Sequence, residues 1–169
     1  MIRLLIVEDH AAIAEALGAL LGSGADVRVQ AICRDKECAE TQLLTNPPDV
    51  VLCDVMLDGH DRGFELLRAF GSEVAFVMYS AFDFPAYHAR ALEYGARGYI
   101  SKMAPVAEIQ SAIRRAAAGK TGVLEAGAGQ CPVGSSAAHG AGVVRHPPGG
   151  RGRHERGDRY PARAACEVR

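Results

Sequence analysis

Five short apolar runs, at 2–7, 27–33, 50–53, 74–80 and 98–101, alternate with segments of helical spacing, and this alternation limits the possible folds more than any other feature. The runs are rich in Val and Ile and have the length of strands buried on both faces. Between the first two, Ile13, Leu17, Leu20 and Leu21 fall on one helical face, as Val106, Ile109 and Ile113 do after the fifth run. Pro105 and Gly119 stand where a helix begins and ends. Segments 37–45, 64–70 and 85–94 are shorter but compatible with helices. Five strand–helix units in strict order predict an α/β fold, a doubly wound five-stranded parallel sheet with helices on both faces.

The C-terminal part has a different composition. Residues 1–125 hold 12 Lys and Arg against 17 Asp and Glu, net −5, whereas residues 126–169 hold 7 against 3, net +4. The latter contain no Leu, Ile, Phe or Met, and Gly and Pro fill 13 of 44 positions. Such a segment cannot bury enough apolar surface to offset the roughly 1–2 kcal/mol per residue that ordering the backbone costs. The expected organisation is one domain over 1–122 and a disordered Gly/Pro/Arg-rich tail over 123–169. No aromatic platform or amphipathic period accompanies Arg151, Arg153, Arg156, Arg159 and Arg163, so no specific DNA binding is expected from the tail. No run nears the roughly 20 apolar residues of a membrane span, and run 2–7 is too short for a secretion signal, so a cytoplasmic location and no membrane contact are expected. The five cysteines are scattered without C-x-x-C spacing. They suggest neither a disulfide framework nor a zinc site, and the early ones read as small buried hydrophobes.

In doubly wound sheets the ligand crevice lies beyond the carboxyl ends of the strands. Run one delivers Glu8 and Asp9 there, run three Asp54, run four Ser80 and run five Lys102. Run two ends in Cys33 and Arg34, which suits an edge strand. Three carboxylates at one rim repel by about 4 kcal/mol per pair at ~4 Å and an effective dielectric of ~20. They need a cation, and all-oxygen donors suit Mg2+. Asp54 ends a central run and is the natural nucleophile for a phosphoryl group, with Lys102 as a second positive charge and Ser80 as a hydrogen-bonding hydroxyl.

The order Ile6-Val7-Glu8-Asp9-His10, Val50-Val51-Leu52-Cys53-Asp54, Tyr79-Ser80-Ala81 and Gly95-Ala96-Arg97-Gly98-Tyr99-Ile100-Ser101-Lys102 resembles the receiver domain of two-component response regulators. It covers about residues 1–120, and its last stretch is similar to regulators with a LuxR/NarL-type helix-turn-helix output. The resemblance implies a flavodoxin-like sheet of order 2-1-3-4-5. It also implies a sensor histidine kinase as partner, Asp54 as phosphoacceptor and Glu8 and Asp9 as the acidic pair for Mg2+. The backbone carbonyl of Met56 becomes a further metal ligand, Ser80 a switch hydroxyl, Tyr99 an aromatic switch that turns inward when Ser80 moves, and Lys102 the phosphate-binding lysine. A homodimer through helix 4, strand 5 and helix 5 would fit the family.

Three departures stand out. Leu57 is followed by Asp58, and Gly63 lies nine residues after Asp54 where the family usually has eight, which suggests a one-residue insertion. Lys102 is followed by Met103 and not Pro, so no cis bond is expected there. The output helices expected after Gly122 do not appear. Asp58 and Asp61 read as loop solvation, and His10, His60 and His88 as surface or site-edge residues. Two other functions compete with this one. A magnesium-dependent aspartyl-phosphate hydrolase would need a proton donor two residues after Asp54, where Met56 stands. A nucleotide-binding module would need a Gly-rich loop after run one, which is missing. The chain is thus read as a phosphorylated switch and not a turnover enzyme.

Overall fold

The computed structural model describes residues 1–120. Within them β1 (Ile2–Val7), β2 (Val27–Cys33), β3 (Val50–Asp54), β4 (Ala75–Ser80) and β5 (Gly98–Ser101) alternate with α1 (Ala11–Gly22), α2 (Lys36–Thr45), α3 (Arg62–Phe70), α4 (Pro85–Glu93) and α5 (Val106–Ala117). The strands form one sheet in the order β2-β1-β3-β4-β5, and every neighbouring pair is parallel. The expected fold class and strand order are those observed. Expectations for residues 123–169 lie outside the described residues.

Strand periodicity builds two cores. Leu4, Ile6, Val50, Leu52, Val77 and Ile100 face α1 and α5, where Leu17, Leu21, Ile109 and Ile113 meet them. Their neighbours Leu5, Val7, Val51, Cys53, Phe76 and Met78 face the other helices, packing with Leu43, Phe64, Leu67 and Ala91. Burial on both faces accounts for the near-continuous apolar runs in the sequence. The β1–β2 pairing slips between Leu4 and Leu5: Leu4 pairs with Val29 and Leu5 with Ala31, so Gln30 is an extra residue in the edge strand.

Helix ends follow local chemistry. Asp35 precedes α2 and its carboxylate accepts from the Cys38 amide at 2.7 Å, and Pro85 occupies the first turn of α4. β3 continues one residue past the apolar run because Asp54 still pairs with Tyr79 of β4. The segment after the third strand, where an insertion was expected, forms a tight reversal. Leu57 and His60 exchange both backbone hydrogen bonds around Asp58 and Gly59, whose φ angles of 52° and 74° are left-handed. An Asp-Gly pair suits this two-residue turn. Among the described residues no peptide bond is cis.

The reading of the early cysteines requires correction. Cys33 and Cys38 are joined in a disulfide, because the end of β2 and the first turn of α2 bring their Cα atoms to 5.5 Å. All three are buried or half-buried as expected, and Cys53 is in addition a free thiol.

Candidate functional site

The carboxyl ends of β1, β3, β4 and β5 converge on one cleft. Glu8 and Asp54 are almost fully buried there, at 1% and 4% exposure, and Asp9 is half-buried. Lys102, carried past the end of β5, joins the two buried acids: its Nζ lies 2.6 Å from Glu8 Oε2 and 2.8 Å from Asp54 Oδ2. Burial pushes the Asp54 carboxyl above the ordinary aspartate range, against the opposing pull of Lys102. Burial alone would lower the Lys102 ammonium, but its bonds to Asp54 and Glu8 raise it overall. An extra positive charge at this rim therefore favours ionised Asp54.

Backbone contacts fix these groups. Lys102 N donates to the Ser80 carbonyl at 2.7 Å, Ala104 N to the Ser101 carbonyl at 3.0 Å and Met103 N to Ser101 Oγ at 3.2 Å. This turn holds Lys102 without a proline. Gly63 closes the site from beneath, since a Cβ there would stand 2.0 Å from the Asp54 carbonyl oxygen. Only glycine allows the start of α3 to come this near the end of β3.

His10 turned out to belong to the cluster. Its Nδ1 lies 2.7 Å from Asp9 Oδ1 and 3.1 Å from Glu8 Oε1. The pairing with Asp9 first, and with Glu8 next, raises the imidazole above its ordinary range. Donor atoms of Glu8, Asp9, His10 and Asp54 all lie within 4.8 Å of one another. Asp9 also accepts from the Asp58 amide at 3.0 Å, which ties the reversal at 58–59 to the acidic pair. Although burial opposes it, that amide and His10 together hold the Asp9 carboxyl below the usual range. Asp58 itself pairs with Arg62 and Asp61 with Arg90, so neither carboxylate is merely solvated. Met56 lines the cleft, and its amide donates to Asp54 Oδ1 at 3.1 Å.

On the β4–β5 side Ser80 is fully buried, and its Oγ accepts from the Phe82 amide at 3.0 Å. Tyr99 is also buried, at 1% exposure, with its hydroxyl donating to the Phe82 carbonyl. The ring therefore already lies inside, and the inward turn expected from the sequence starts from a ring that is packed. His88 stacks on it at 4.3 Å and pairs with Asp83. Exposed His10 lies at the site edge, within the surface or site-edge reading given to it and His88; its pairing with both acids is the addition, and the signal for it was its position directly after the acidic pair.

Comparison with known proteins gives a consistent picture. The family model for the response regulator receiver domain matches residues 4–114. The chain is 32% identical over 123 residues to an uncharacterized transcriptional regulatory protein, YvfU, of Bacillus subtilis, covering 71% of this chain and 61% of that protein. It is 31% identical over 119 residues to the transcriptional regulatory protein UhpA of Escherichia coli, covering 70% and 60%. The chain thus matches about three fifths of the length of these relatives. Among solved structures, the signal receiver domain of the putative response regulator NarL from Mycobacterium tuberculosis superposes with a TM-score of 0.66 at 29% identity. That match covers 70% of this chain and 98% of the other. A LuxR-family two-component response regulator from Aurantimonas superposes with a TM-score of 0.68 at 26% identity, covering 73% and 89%. With its five-stranded order, the acid-lysine cleft at the strand ends and these matches, the chain belongs to the response regulator receiver domain family.

Proposed function

We propose that Asp54 accepts a phosphoryl group from the phosphohistidine of a sensor histidine kinase, and that this modification switches a protein-binding face. In that step the phosphorus–nitrogen bond breaks as a phosphorus–oxygen bond to Asp54 forms, leaving the histidine nitrogen to take a proton. The observation that carries the reading is the buried Asp54 carboxylate held 2.8 Å from Lys102 at the mouth of the cleft. Lys102 orients that carboxylate now and would bind the phosphoryl oxygens afterwards.

The donor set supports a magnesium site formed by Glu8, Asp9, Asp54 and the Met56 carbonyl, because clustered carboxylate oxygens match a hard cation. Bound magnesium would neutralise charge on the carboxylates and on the transferred group. Ser80 is placed to turn its hydroxyl toward a phosphoryl oxygen, which would release the Phe82 amide it now accepts from. Tyr99, bonded to the carbonyl of that same Phe82, would register the change without entering from solvent. The signal leaves across α4, β5 and α5, and the exposed Phe84 and Leu92 support a homodimer there. Residues 1–122 form the switch, acting in the cytoplasm and in transcriptional regulation, in line with the names of the relatives. Among the described residues no helix is long and apolar enough to cross a membrane. Met56, two residues past Asp54, offers no proton for repeated turnover, which favours a switch over a hydrolase.

The test is labelling with a small acyl phosphate and magnesium, read by mass spectrometry. One phosphoryl group should appear on Asp54 and decay slowly, and Asp54→Ala should remain unlabelled. Undiminished labelling of that variant, or continuous consumption of the donor at a high rate, would overturn the assignment.

A further inference from the structure

We propose that Cys33 and Cys38 form a reversible thiol–disulfide site whose state adjusts the backbone of the acidic pair. The disulfide spans the junction of β2 and α2, bridging the last strand residue to the first helical turn across Asp35. What makes this position consequential is its neighbours. The Cys33 carbonyl accepts from the Glu8 amide at 3.0 Å, and the next residue, Arg34, donates from Nε and Nη2 to the Asp9 carbonyl at 3.3 and 3.1 Å. Residues 33 and 34 thus hold the main chain of both acids that begin the cleft. A cross-link at Cys33 fixes the frame from which Glu8 and Asp9 project.

The two sulfurs differ in access. Cys33 is fully buried, whereas Cys38 is half-buried in the first turn of α2, where its amide meets the Asp35 carboxylate. A reducing dithiol therefore attacks Cys38 Sγ, breaking the bond to Cys33, which leaves as a thiolate and takes up a proton. The second thiol of the reductant then resolves the mixed disulfide, freeing the Cys38 thiol and leaving the reductant oxidised. The reverse step is a two-electron oxidation by a disulfide such as oxidised glutathione, itself reduced to two thiols. In a reducing cytoplasm, disulfides are more often transient and redox-sensing than structural. Cys53 provides a contrast inside the same protein: burial and the adjoining Asp54 carboxylate push its thiol up, so it stays protonated and inert.

The coupling to cation affinity rests on the magnesium site proposed above; the thiol chemistry and the backbone effect do not. The 169-residue chain is poised with reduced and oxidised glutathione, alkylated in its native state and mapped by peptide mass spectrometry, which separates Cys33 and Cys38 from Cys131 and Cys166. Cys33 and Cys38 should become modified together and only after reduction. Two readouts follow on each form: hydrogen exchange of the Glu8, Asp9 and His10 amides, and calorimetric titration with magnesium. Reduction should speed exchange at Glu8 and weaken magnesium binding about fivefold. Cys38→Ser, at a half-buried position, should show the reduced-form values whatever the glutathione ratio. Free Cys33 and Cys38 under oxidising conditions would overturn the site, and unchanged exchange at Glu8 would overturn the coupling. Altered exchange with no magnesium binding in either form would support the redox coupling and refute the cation reading instead.

Discussion

The two halves of the strand-end rim are built on opposite principles. On the β1–β3 side, Glu8, Asp9, His10, Asp54 and Lys102 are joined by contacts of 2.6–3.1 Å, and the two most buried acids share one ammonium. The β4–α4 side is aromatic. Phe82, Phe84 and Tyr87 have ring centroids 5.7–6.4 Å apart, and Phe84 is 58% exposed. Ion pairs among buried groups demand one geometry, whereas stacked rings at the surface tolerate rearrangement at small cost. Under the function proposed above, the ion-paired half would carry the chemistry and the aromatic half would read its state.

Breaking the rigid half should have the largest effect. Lys102→Met leaves Glu8 and Asp54 buried without their shared cation, a loss of about 3–5 kcal/mol at neutral pH without added metal. Without that cation, the folded-state pKa of Asp54 rises further above its unfolded value. The deficit should therefore shrink as pH falls through that raised pKa and grow again as pH increases. Urea unfolding across acidic to neutral pH measures both, and a pH-independent deficit would contradict the ion-pair account. The next effect comes from packing beneath the same site. Gly63→Ala forces its new methyl against the Asp54 carbonyl, costing about 1–3 kcal/mol and shifting the Asp54 amide resonance in NMR spectra. A variant of native stability with an unmoved spectrum would mean that α3 approaches less closely. The smallest effect belongs to the aromatic half. Phe84→Ser should change stability by less than about 0.5 kcal/mol and leave acyl-phosphate labelling at Asp54 unaltered, while weakening any phosphorylation-dependent dimer measured by sedimentation. If instead it lowered labelling as strongly as stability loss at the charged half would, the division between the halves would fail.

Much of this was legible in the sequence because strand periodicity and strand ends are local properties. The runs ending in Glu8, Asp54 and Ser80 had only to be placed side by side, and the family resemblance supplied the order. The Cys33–Cys38 bond was not legible: five residues of separation carry no pairing signature, and closure depends on how β2 enters α2. His10 was legible as a site-edge residue but its pairing was not, since its ring reaches both acids only once the start of α1 turns it back over them. The spacing from Asp54 to Gly63 indicates a one-residue insertion and Asp58 reads as loop solvation, but the Asp-Gly pair at 58–59 also indicates the tight reversal that is observed. Burial of Tyr99 follows from its place in a strand covered on both faces, whereas its contacts do not, because His88 and Phe82 come from other segments.

The extra residue at Gln30 has an effect of its own on which core the side chains of β2 enter. Odd-numbered side chains before it, Val27 and Val29, belong to the α1–α5 core, whereas the odd-numbered Ala31 and Cys33 after it belong to the opposite core. One surplus residue inverts the alternation of an edge strand halfway along its length. Deleting Gln30 would bring Val29 and Ala31 into direct alternation and leave the Cys33 sulfur on the face it shares with Cys38. Were the same seven residues paired without the slip, Cys33 would follow Val27 and Val29 to the α1–α5 face, so the covalent link at one end of β2 rests on how its middle is paired.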